Sequence, residues 1–470
     1  MGKKVVATPS SWTKRGEARC VGGGRRPLHV WQGIVGEEGL FDVLGAGKHQ
    51  VYGRWLKSEN PSSERVEPPC DRVDLCGGCP WMHLSPSGQE RASRELVTQA
   101  FADAGIDAQI GAFHATPQLE DFRHVVKVGF GTSDQGRLRV GAWGRRYRRI
   151  VPIPKCNVAA PVLRKTMVSL AHHAIELDIR AYDAETERGV LRSAVLRASR
   201  TTGEVMVTLV AARRSRELND LAEALAQGVS EIVGIFLHVN KGPGNAIFLR
   251  DDDGVVGTKR LIGKDTIEEV LGDVRYRIGP GDFFQTHPAI AETLYERTLD
   301  RLEVDDTDTV VDLYSGVGGF ALQAAGRAGF SLGIEEVDGA VQRARETARL
   351  NGLTDTEFHQ GQVLEALPEI RNKLDGTAPK VVVDPARRGL EEGVLEAIVG
   401  LKPSRFAYVA CSVHSLVRDV APLLEQGWTL QPLELFAMFP HTPNVEVLAI
   451  LEPPVVPEAQ RRAPKRKLVR

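Results

Sequence analysis

The sequence predicts a multidomain α/β protein that ends in a doubly wound, Rossmann-like domain, preceded by an α+β central part and a small, degraded β region at the N-terminus. Length is the first reason: 470 residues exceed what one hydrophobic core usually supports. The second is the run after Arg277, where T-V-V-D-L, S-L-G-I-E-E, K-V-V-V-D and F-A-Y-V-A-C read as buried parallel strands, each followed by a helix-length segment. The third is period-two alternation between 120 and 272, in H-V-V-K-V-G-F, G-V-L-R-S-A-V-L-R, E-V-M-V-T-L-V and G-I-F-L-H-V. Turn signals such as T-T-G and K-G-P-G-N separate these runs.

Shifts in composition set the boundaries: an N-terminal region at 1–68, a central part at 69–272, the α/β domain at 273–452 and a basic tail at 453–470. The opening stretch of about 25 residues, with Gly22, Gly23 and Gly24 and a run of arginines, reads as disordered. L-H-V-W and H-Q-V-Y read as short strands after it. From Gln89, E-R-A-S-R-E-L-V-T-Q-A-F-A-D-A-G places Leu96, Val97, Ala100 and Phe101 on one helical face, with Gly105 where a C-cap belongs.

Net charge is −1, from 60 basic and 61 acidic residues, so the total gives no argument for a polyanionic partner. Distribution says more. Between Arg137 and Lys155 seven basic residues and no acidic ones are interleaved with Trp143 and Tyr147, a pattern that can grip phosphates and stack bases. The same pattern also suits an edge strand kept from aggregating by its arginines. A second basic run, Arg461, Arg462, Lys465, Arg466, Lys467 and Arg470, reads as a disordered tail. No apolar stretch reaches the roughly 18 residues of a membrane span, and the first residues lack the apolar core of a signal peptide, so a cytoplasmic protein is expected.

Only six cysteines occur, too few for a disulfide framework, and four of them suggest a metal site. Cys70, Cys76 and Cys79 form a C-x5-C-x2-C run, and Cys156 supplies a distant fourth thiol, the set a [4Fe-4S] cluster needs. Zinc also accepts four thiolates, although structural zinc sites usually pair two short knuckles and this chain has one. Gly77 and Gly78 inside the knuckle allow the backbone to wrap around a metal.

Residues 310–322, V-V-D-L-Y-S-G-V-G-G-F-A-L, are a strand running into glycines and then a helix, a loop that brings backbone close to a ligand at the strand's carboxyl end. Glu335 closes the next strand 19 residues beyond Gly316, where a carboxylate can accept from both ribose hydroxyls. The glycines match neither the dinucleotide pattern G-x-G-x-x-G nor a phosphate loop. An adenosyl cofactor without a pyrophosphate fits better, S-adenosylmethionine above all; a surface carboxylate at a strand end is the other reading of Glu335. Cys411 ends the strand F-A-Y-V-A-C at the ligand-binding rim. A helix starting near Ser412 would favour its thiolate. A buried structural cysteine is the plain alternative.

D-L-Y-S-G-V-G-G-F, V-V-D-P-A-R-R-G, Y-V-A-C-S-V-H-S-L-V-R-D and M-F-P-H-T-P-N-V-E together resemble the RNA (uracil-5-)methyltransferase family, from Cys70 to about Leu451. The four-cysteine set resembles that of members acting on 23S ribosomal RNA. The resemblance implies that Cys411 is the nucleophile adding to uracil C6 and Glu446 the base that removes the C5 proton. It implies cofactor contacts from Gln285, Tyr314, Gly319, Glu335 and Gln362, with Asp384 at the cofactor and target-base site. It also implies a [4Fe-4S] cluster on Cys70, Cys76, Cys79 and Cys156, with a structural role. The chain departs from the family pattern at Ala386, Ala410, Gly319 and Gln362, and none of these changes removes a reacting group. The family's β-barrel RNA-binding domain is reduced here to a degraded copy within 28–68. A target uridine must leave its stack to reach Cys411, and Phe283, Trp143 and Tyr147 are candidates to support the opened RNA.

Three readings follow. The first is an S-adenosylmethionine-dependent uridine C5 methyltransferase acting on 23S ribosomal RNA, with transfer RNA as the alternative substrate, monomeric and without a membrane or obligate protein partner. The second is a methyltransferase for another substrate in which Cys411 is structural. The third is an RNA-binding module that lost catalysis, against which both Cys411 and Glu446 argue.

Overall fold

The structure, a computed structural model, describes residues 3–454 apart from 22–25, 146–148, 243–246, 249, 252–253, 256–257 and 375. Gly22 to Gly24, Tyr147 and the basic tail from Arg461 to Arg470 therefore lie outside the described residues.

The apolar runs after Arg277 build the expected sheet. Its order is Thr356–Gln360, Phe330–Glu335, Thr309–Leu313, Lys380–Val383, Arg405–Ala410, Glu446–Glu452, Leu433–Phe436 and Ile110–His114. The first five strands are parallel, and Glu446–Glu452 returns antiparallel to Arg405–Ala410, setting Val447 opposite Ala410. The strand order reverses between Thr309–Leu313 and Lys380–Val383, so the crevice at their carboxyl ends is where such sheets hold ligands. Both faces are covered by helices, which is why Val381, Val382 and Val383 are fully buried in succession instead of alternating.

The last strand of that sheet corrects the boundary drawn at 272. Ile110–His114 lies in the central stretch of sequence, yet pairs in parallel with Leu433–Phe436. The helix before it, Pro86–Ala102, sends Val97, Ala100 and Phe101 into the same core as Leu416 and Val420. Ser85 caps that helix by accepting from the Gly88 N–H at 3.1 Å, with Pro86 at its first position. Exchange of a strand between distant segments leaves no trace in local periodicity.

The period-two segments of the central part form a seven-stranded sheet, ordered Ile150–Val151, Leu138–Trp143, Val125–Thr132, Leu191–Ala198, Val205–Ala211, Ile232–Val239 and Thr258–Gly263. The helices Pro161–Glu176 and Glu217–Gly228 pack on it through Leu163, Leu170, Leu218 and Leu221.

The N-terminus also differs from the expectation. Instead of a disordered opening, strands occur at Lys4–Ala7, Ser11–Trp12 and Ala18–Cys20, joining Leu28–Trp31, Gly39–Ala46 and Val51–Lys57 in one six-stranded sheet. Two- to four-residue strands are too short to display a period. What orders them is tertiary: Trp12, Ala18, Val30 and Phe41 bury against Trp81 and Ala92 from beyond the sheet. Among the described residues, no helix is long and apolar enough to cross a membrane.

Candidate active site and cysteine loop

The strand Thr309–Leu313 ends in a turn with three left-handed residues at alternate positions. Tyr314 and Gly316 take φ of 65° and 56°, and Gly318 takes 91° at the start of the short helix Gly319–Ala324. A Cβ on Gly318 would lie 2.6 Å from Leu322 Cδ1, so the position needs glycine for both space and backbone. Glu335 accepts from the Gly316 N–H with one carboxylate oxygen and from the Val337 N–H with the other, both at 2.9 Å. It thus holds the loop as well as facing the crevice. Asp312, 1% exposed, accepts from the Ala321 N–H at 2.9 Å, and burial pushes its carboxyl up to about 8. The sequence reading passed over Asp312, although an acid inside an otherwise apolar strand is a signal in itself.

Gly316 and Glu335 line a cleft of about 580 Å³ together with Asp282, Phe283, Val337 and Arg343. Phe283 is 65% exposed there. Gln285 is buried and donates from Nε2 to Asp384 Oδ2 at 3.3 Å, which joins two candidates from opposite sides of the crevice. Tyr314, Gly319 and Gln362 do not line this cleft. The Tyr314 hydroxyl donates to Glu391. Gly319 turns its Cα toward Tyr295, and Gln362 is exposed at the start of the helix Val363–Lys373.

Cys411 directly follows Arg405–Ala410 and precedes the helix Val413–Glu425, whose N-cap Ser412 accepts from the Ser415 N–H. Glu446 opens the neighbouring antiparallel strand and is 3% exposed. Asp384 follows Lys380–Val383. Three adjacent strands therefore deliver a thiol and two carboxyls to one end of the sheet. Their electrostatics show that they feel one another. Burial, then the Glu446 and Asp384 carboxylates, push the Cys411 thiol up to about 11, while the Arg387 guanidinium pulls the other way. Glu446 is held well above the usual carboxylate range by burial first and Asp384 second. Burial pushes Asp384 up to about 7. Where the following helix was expected to favour the Cys411 thiolate, burial and the two acids push the thiol in the opposite direction.

Glu446 Oε2 is enclosed without a hydrogen-bond partner, an arrangement expensive for a carboxylate unless it carries a proton or meets a substrate. Arg387 belongs to the loop D-P-A-R-R-G, which is pinned to the helix Val413–Glu425: the Ser415 hydroxyl donates to Arg387 O at 2.6 Å and Leu390 N–H to Asp419 Oδ2 at 2.8 Å. Sequence reading assigned no role to Arg387.

Far along the chain, Cys70, Cys76, Cys79 and Cys156 line one small, largely apolar cavity with Val73, Met82, Ile153 and Val158. Burial raises the Cys70, Cys76 and Cys79 thiols, the last to about 12. Amide N–H groups of Arg72 and Gly78 already point at Cys70 and Cys76 sulfurs at 3.4 Å. The buried Nε of Arg123, beside Cys79, has no acceptor, and neither have Nε and Nη2 of Arg145, beside Cys76. The strand Leu138–Trp143 runs straight into this loop, with Gly77 N–H donating to Trp143 O at 3.2 Å and Arg145 N–H to Leu75 O at 3.0 Å.

The profile of the tRNA (uracil-5-)-methyltransferase family matches residues 199–453, which carry all three reacting candidates. An uncharacterized RNA methyltransferase of Listeria innocua is 31% identical over 436 residues, covering 90% of this chain and 92% of the relative. One of Halalkalibacterium halodurans is 31% identical over 432 residues, with the same coverage of each. Among solved structures, the tRNA (uracil-54, C5)-methyltransferase of Pyrococcus abyssi in complex with S-adenosyl-L-homocysteine shares the fold, with a TM-score of 0.73 and 24% identity over 95% of this chain and 99% of that one. Matched along nearly its whole length by RNA methyltransferases and across its catalytic end by one family profile, this chain is an RNA methyltransferase of the tRNA (uracil-5-)-methyltransferase family.

Proposed function

We propose that the protein methylates C5 of a uridine in 23S ribosomal RNA with S-adenosylmethionine as donor, through a transient Cys411–C6 bond, with Glu446 as base and with a [4Fe-4S] cluster held by Cys70, Cys76, Cys79 and Cys156. The observation that carries the reaction is the convergence of Asp384, Cys411 and Glu446 from three adjacent strands on one end of the sheet.

S-adenosylmethionine, when bound, supplies the electrophilic methyl group; the residues that would hold it are Glu335, Gln285 and Asp384 around the cleft, with Tyr314, Gly319 and Gln362 as flanking contacts. Cys411, its proton released to solvent, bonds to C6 as the C5–C6 π pair moves toward the C4 carbonyl, which turns C5 into a nucleophile. That carbon would then accept the methyl group that the donor supplies. Glu446 then accepts the C5 proton, the ring electrons reform the C5–C6 double bond, and the Sγ–C6 bond breaks to release Cys411. A buried carboxyl held above its usual range is a stronger base than a solvated one, which suits that last step. Arg387 offsets the charge that develops on sulfur.

The four thiols fit a cluster on three grounds: they share one cavity, amide N–H groups are aimed at two of the sulfurs, and unmatched Arg123 and Arg145 N–H groups beside them suit a dianionic centre. Such a cluster would tie the loop 70–79 to the segment ending at Cys156. Transfer RNA is the second reading of the substrate, because the family description and the Pyrococcus abyssi protein both carry that name.

The test is mass-spectrometric mapping of 5-methyluridine in ribosomal and transfer RNA with and without the gene. Loss at a ribosomal position supports the proposal, and loss confined to transfer RNA replaces its substrate. Glu446→Gln with 5-fluorouridine-free RNA should leave a methylated covalent complex on a denaturing gel, and Cys411→Ala should leave none.

A further inference from the structure

The loop that leads into Glu446 is tied down at one residue. His441 is 6% exposed and takes a left-handed φ of 65°, a conformation that a non-glycine residue keeps only when its surroundings impose it. All four of its polar groups are matched by segments remote in sequence. Its N–H donates to Gln89 Oε1 at 2.6 Å, and its carbonyl accepts from the Trp81 N–H at 2.9 Å. Its Nε2 donates to Leu119 O at 3.0 Å, which sets the tautomer and leaves Nδ1 to accept from Gln89 Nε2 at 3.2 Å. Gln89 Nε2 also donates to Leu84 O at 2.9 Å, so the orientation of its amide is determined as well. Burial keeps the His441 imidazole below its usual pKa, hence neutral, as this pattern of donors requires.

We propose that Gln89 is a positioning residue for Glu446. By clamping His441 it fixes the turn at 442–445, in which Thr442 Oγ1 donates to Phe439 O at 2.8 Å and accepts from the Asn444 N–H at 3.2 Å, just before the strand Glu446–Glu452 begins. Trp81, fully buried and two residues past Cys79, holds the His441 carbonyl. The cysteine loop and the base loop thus meet at one residue, which gives the loop at 70–79 a mechanical bearing on catalysis without any part in methyl transfer.

The inference rests on the reading of Glu446 as base and Cys411 as nucleophile, and the experiment separates the two. Gln89→Ala, Gln89→Glu and Glu446→Gln are compared in steady state and on denaturing gels with unmodified RNA. Gln89→Ala should lower kcat roughly tenfold to a hundredfold, the range a displaced reacting group produces, with KM for RNA and donor within about twofold. It should also accumulate the methylated covalent complex, as Glu446→Gln does, because elimination waits on the base. Gln89→Glu, which keeps the acceptor for the His441 N–H, should recover part of the rate. If Gln89→Ala loses activity without adduct, changes KM alone, or behaves as the native protein while Glu446→Gln traps adduct, the positioning role is wrong. If Glu446→Gln itself traps nothing, the reading beneath it fails instead. His441→Gly, which accepts the left-handed backbone and keeps the N–H to Gln89, guards against misfolding and should slow turnover less than Gln89→Ala.

Discussion

Cys411 begins as an unreactive thiol. Its burial and the two carboxyls beside it make ionisation costly, and the Arg387 guanidinium compensates only in part. An enzyme with such a thiol spends most of its time protonated and reaches the thiolate only when a substrate displaces water and completes the electrostatics. The sign of the pH response follows. With the thiol raised to about 11, the thiolate fraction grows about tenfold per pH unit through the neutral range, so the single-turnover rate of adduct formation should rise steeply from pH 6.5 to 8.5. Arg387→Met should depress that rate by roughly tenfold or more, because one opposing charge is removed from a poorly solvated anion. Rapid-quench trapping with 5-fluorouridine-containing RNA measures both, and a flat profile would exclude free-thiol ionisation as the controlling step.

At the scale of elements, the candidate reacting groups are aligned by neighbouring strands and by one loop that cannot be rebuilt with a side chain. Gly389, in D-P-A-R-R-G, has φ of 81°, and a Cβ there would lie 2.4 Å from Asp419 Oδ2 and 2.5 Å from Arg418 Nη2. Those two side chains are what moor the loop, since Arg418 Nη2 donates to Arg388 O at 2.7 Å and Tyr408 donates its hydroxyl to Asp419 Oδ2 at the same distance. Gly389→Ala should therefore destabilise by about 2 kcal/mol and lower adduct formation, as followed by thermal unfolding and gel trapping. This loop also shows how far the sequence could be read. Strands whose side chains are buried on both faces, such as Lys380–Val383 and Arg405–Ala410, announce themselves as continuous apolar runs, and the glycines after Thr309–Leu313 mark a turn by composition. That Cys411, Glu446 and Asp384 stand at strand ends was legible because each falls within a recognisable motif beside an apolar run. The clamp of Gln89 on His441 and the insertion of Ile110–His114 into the catalytic sheet were not, since both join residues more than 300 positions apart. The ordering of Lys4–Ala7 and Ser11–Trp12 was hidden for the same reason: partners such as Phe41 and Trp81, and not local propensity, impose it.

Across the whole molecule, the N-terminal sheet, the cysteine loop and the base loop share one wall. A cleft of about 520 Å³ is bounded by Lys14, Arg15, Gly77, Trp143, Arg145 and Asn444, so it touches all three. Were a metal held by the four cysteines, as proposed, its removal should be felt here first. Chelation under oxidising conditions should bleach any charge-transfer absorbance, expose the 70–80 loop to protease and lower the unfolding temperature, while S-adenosylmethionine binding in the cleft at Gly316 and Glu335 persists. Iron and zinc analysis of the purified protein decides which metal is lost.

The charge of that cleft leads to a last expectation. Its one acid, Glu17, is engaged by Trp31 Nε1 at 3.1 Å and by His29 at 3.4 Å, while the Arg145 guanidinium lies 5.2 Å from the Trp31 ring centroid with its Nε and Nη2 unmatched. Lys14 and Arg15 are exposed on the N-terminal sheet, and Trp143 is 54% exposed on the strand that reaches the cysteines. A strand of RNA passing from the target uridine along the base loop would meet several cations and a ring on which a base can stack. Each phosphate contact removed should lower the slope of log affinity against log salt by about 0.7 for single-stranded RNA, so Lys14→Ala with Arg15→Ala should reduce it by about 1.4. Trp143→Ala should weaken binding severalfold with the slope unchanged, because stacking releases no counterions. Fluorescence anisotropy of a labelled RNA across a potassium chloride series reads both quantities at once. A double variant with native slope and affinity would mean that the RNA takes another path to Cys411, and that the six-stranded N-terminal sheet serves only to seat Trp81.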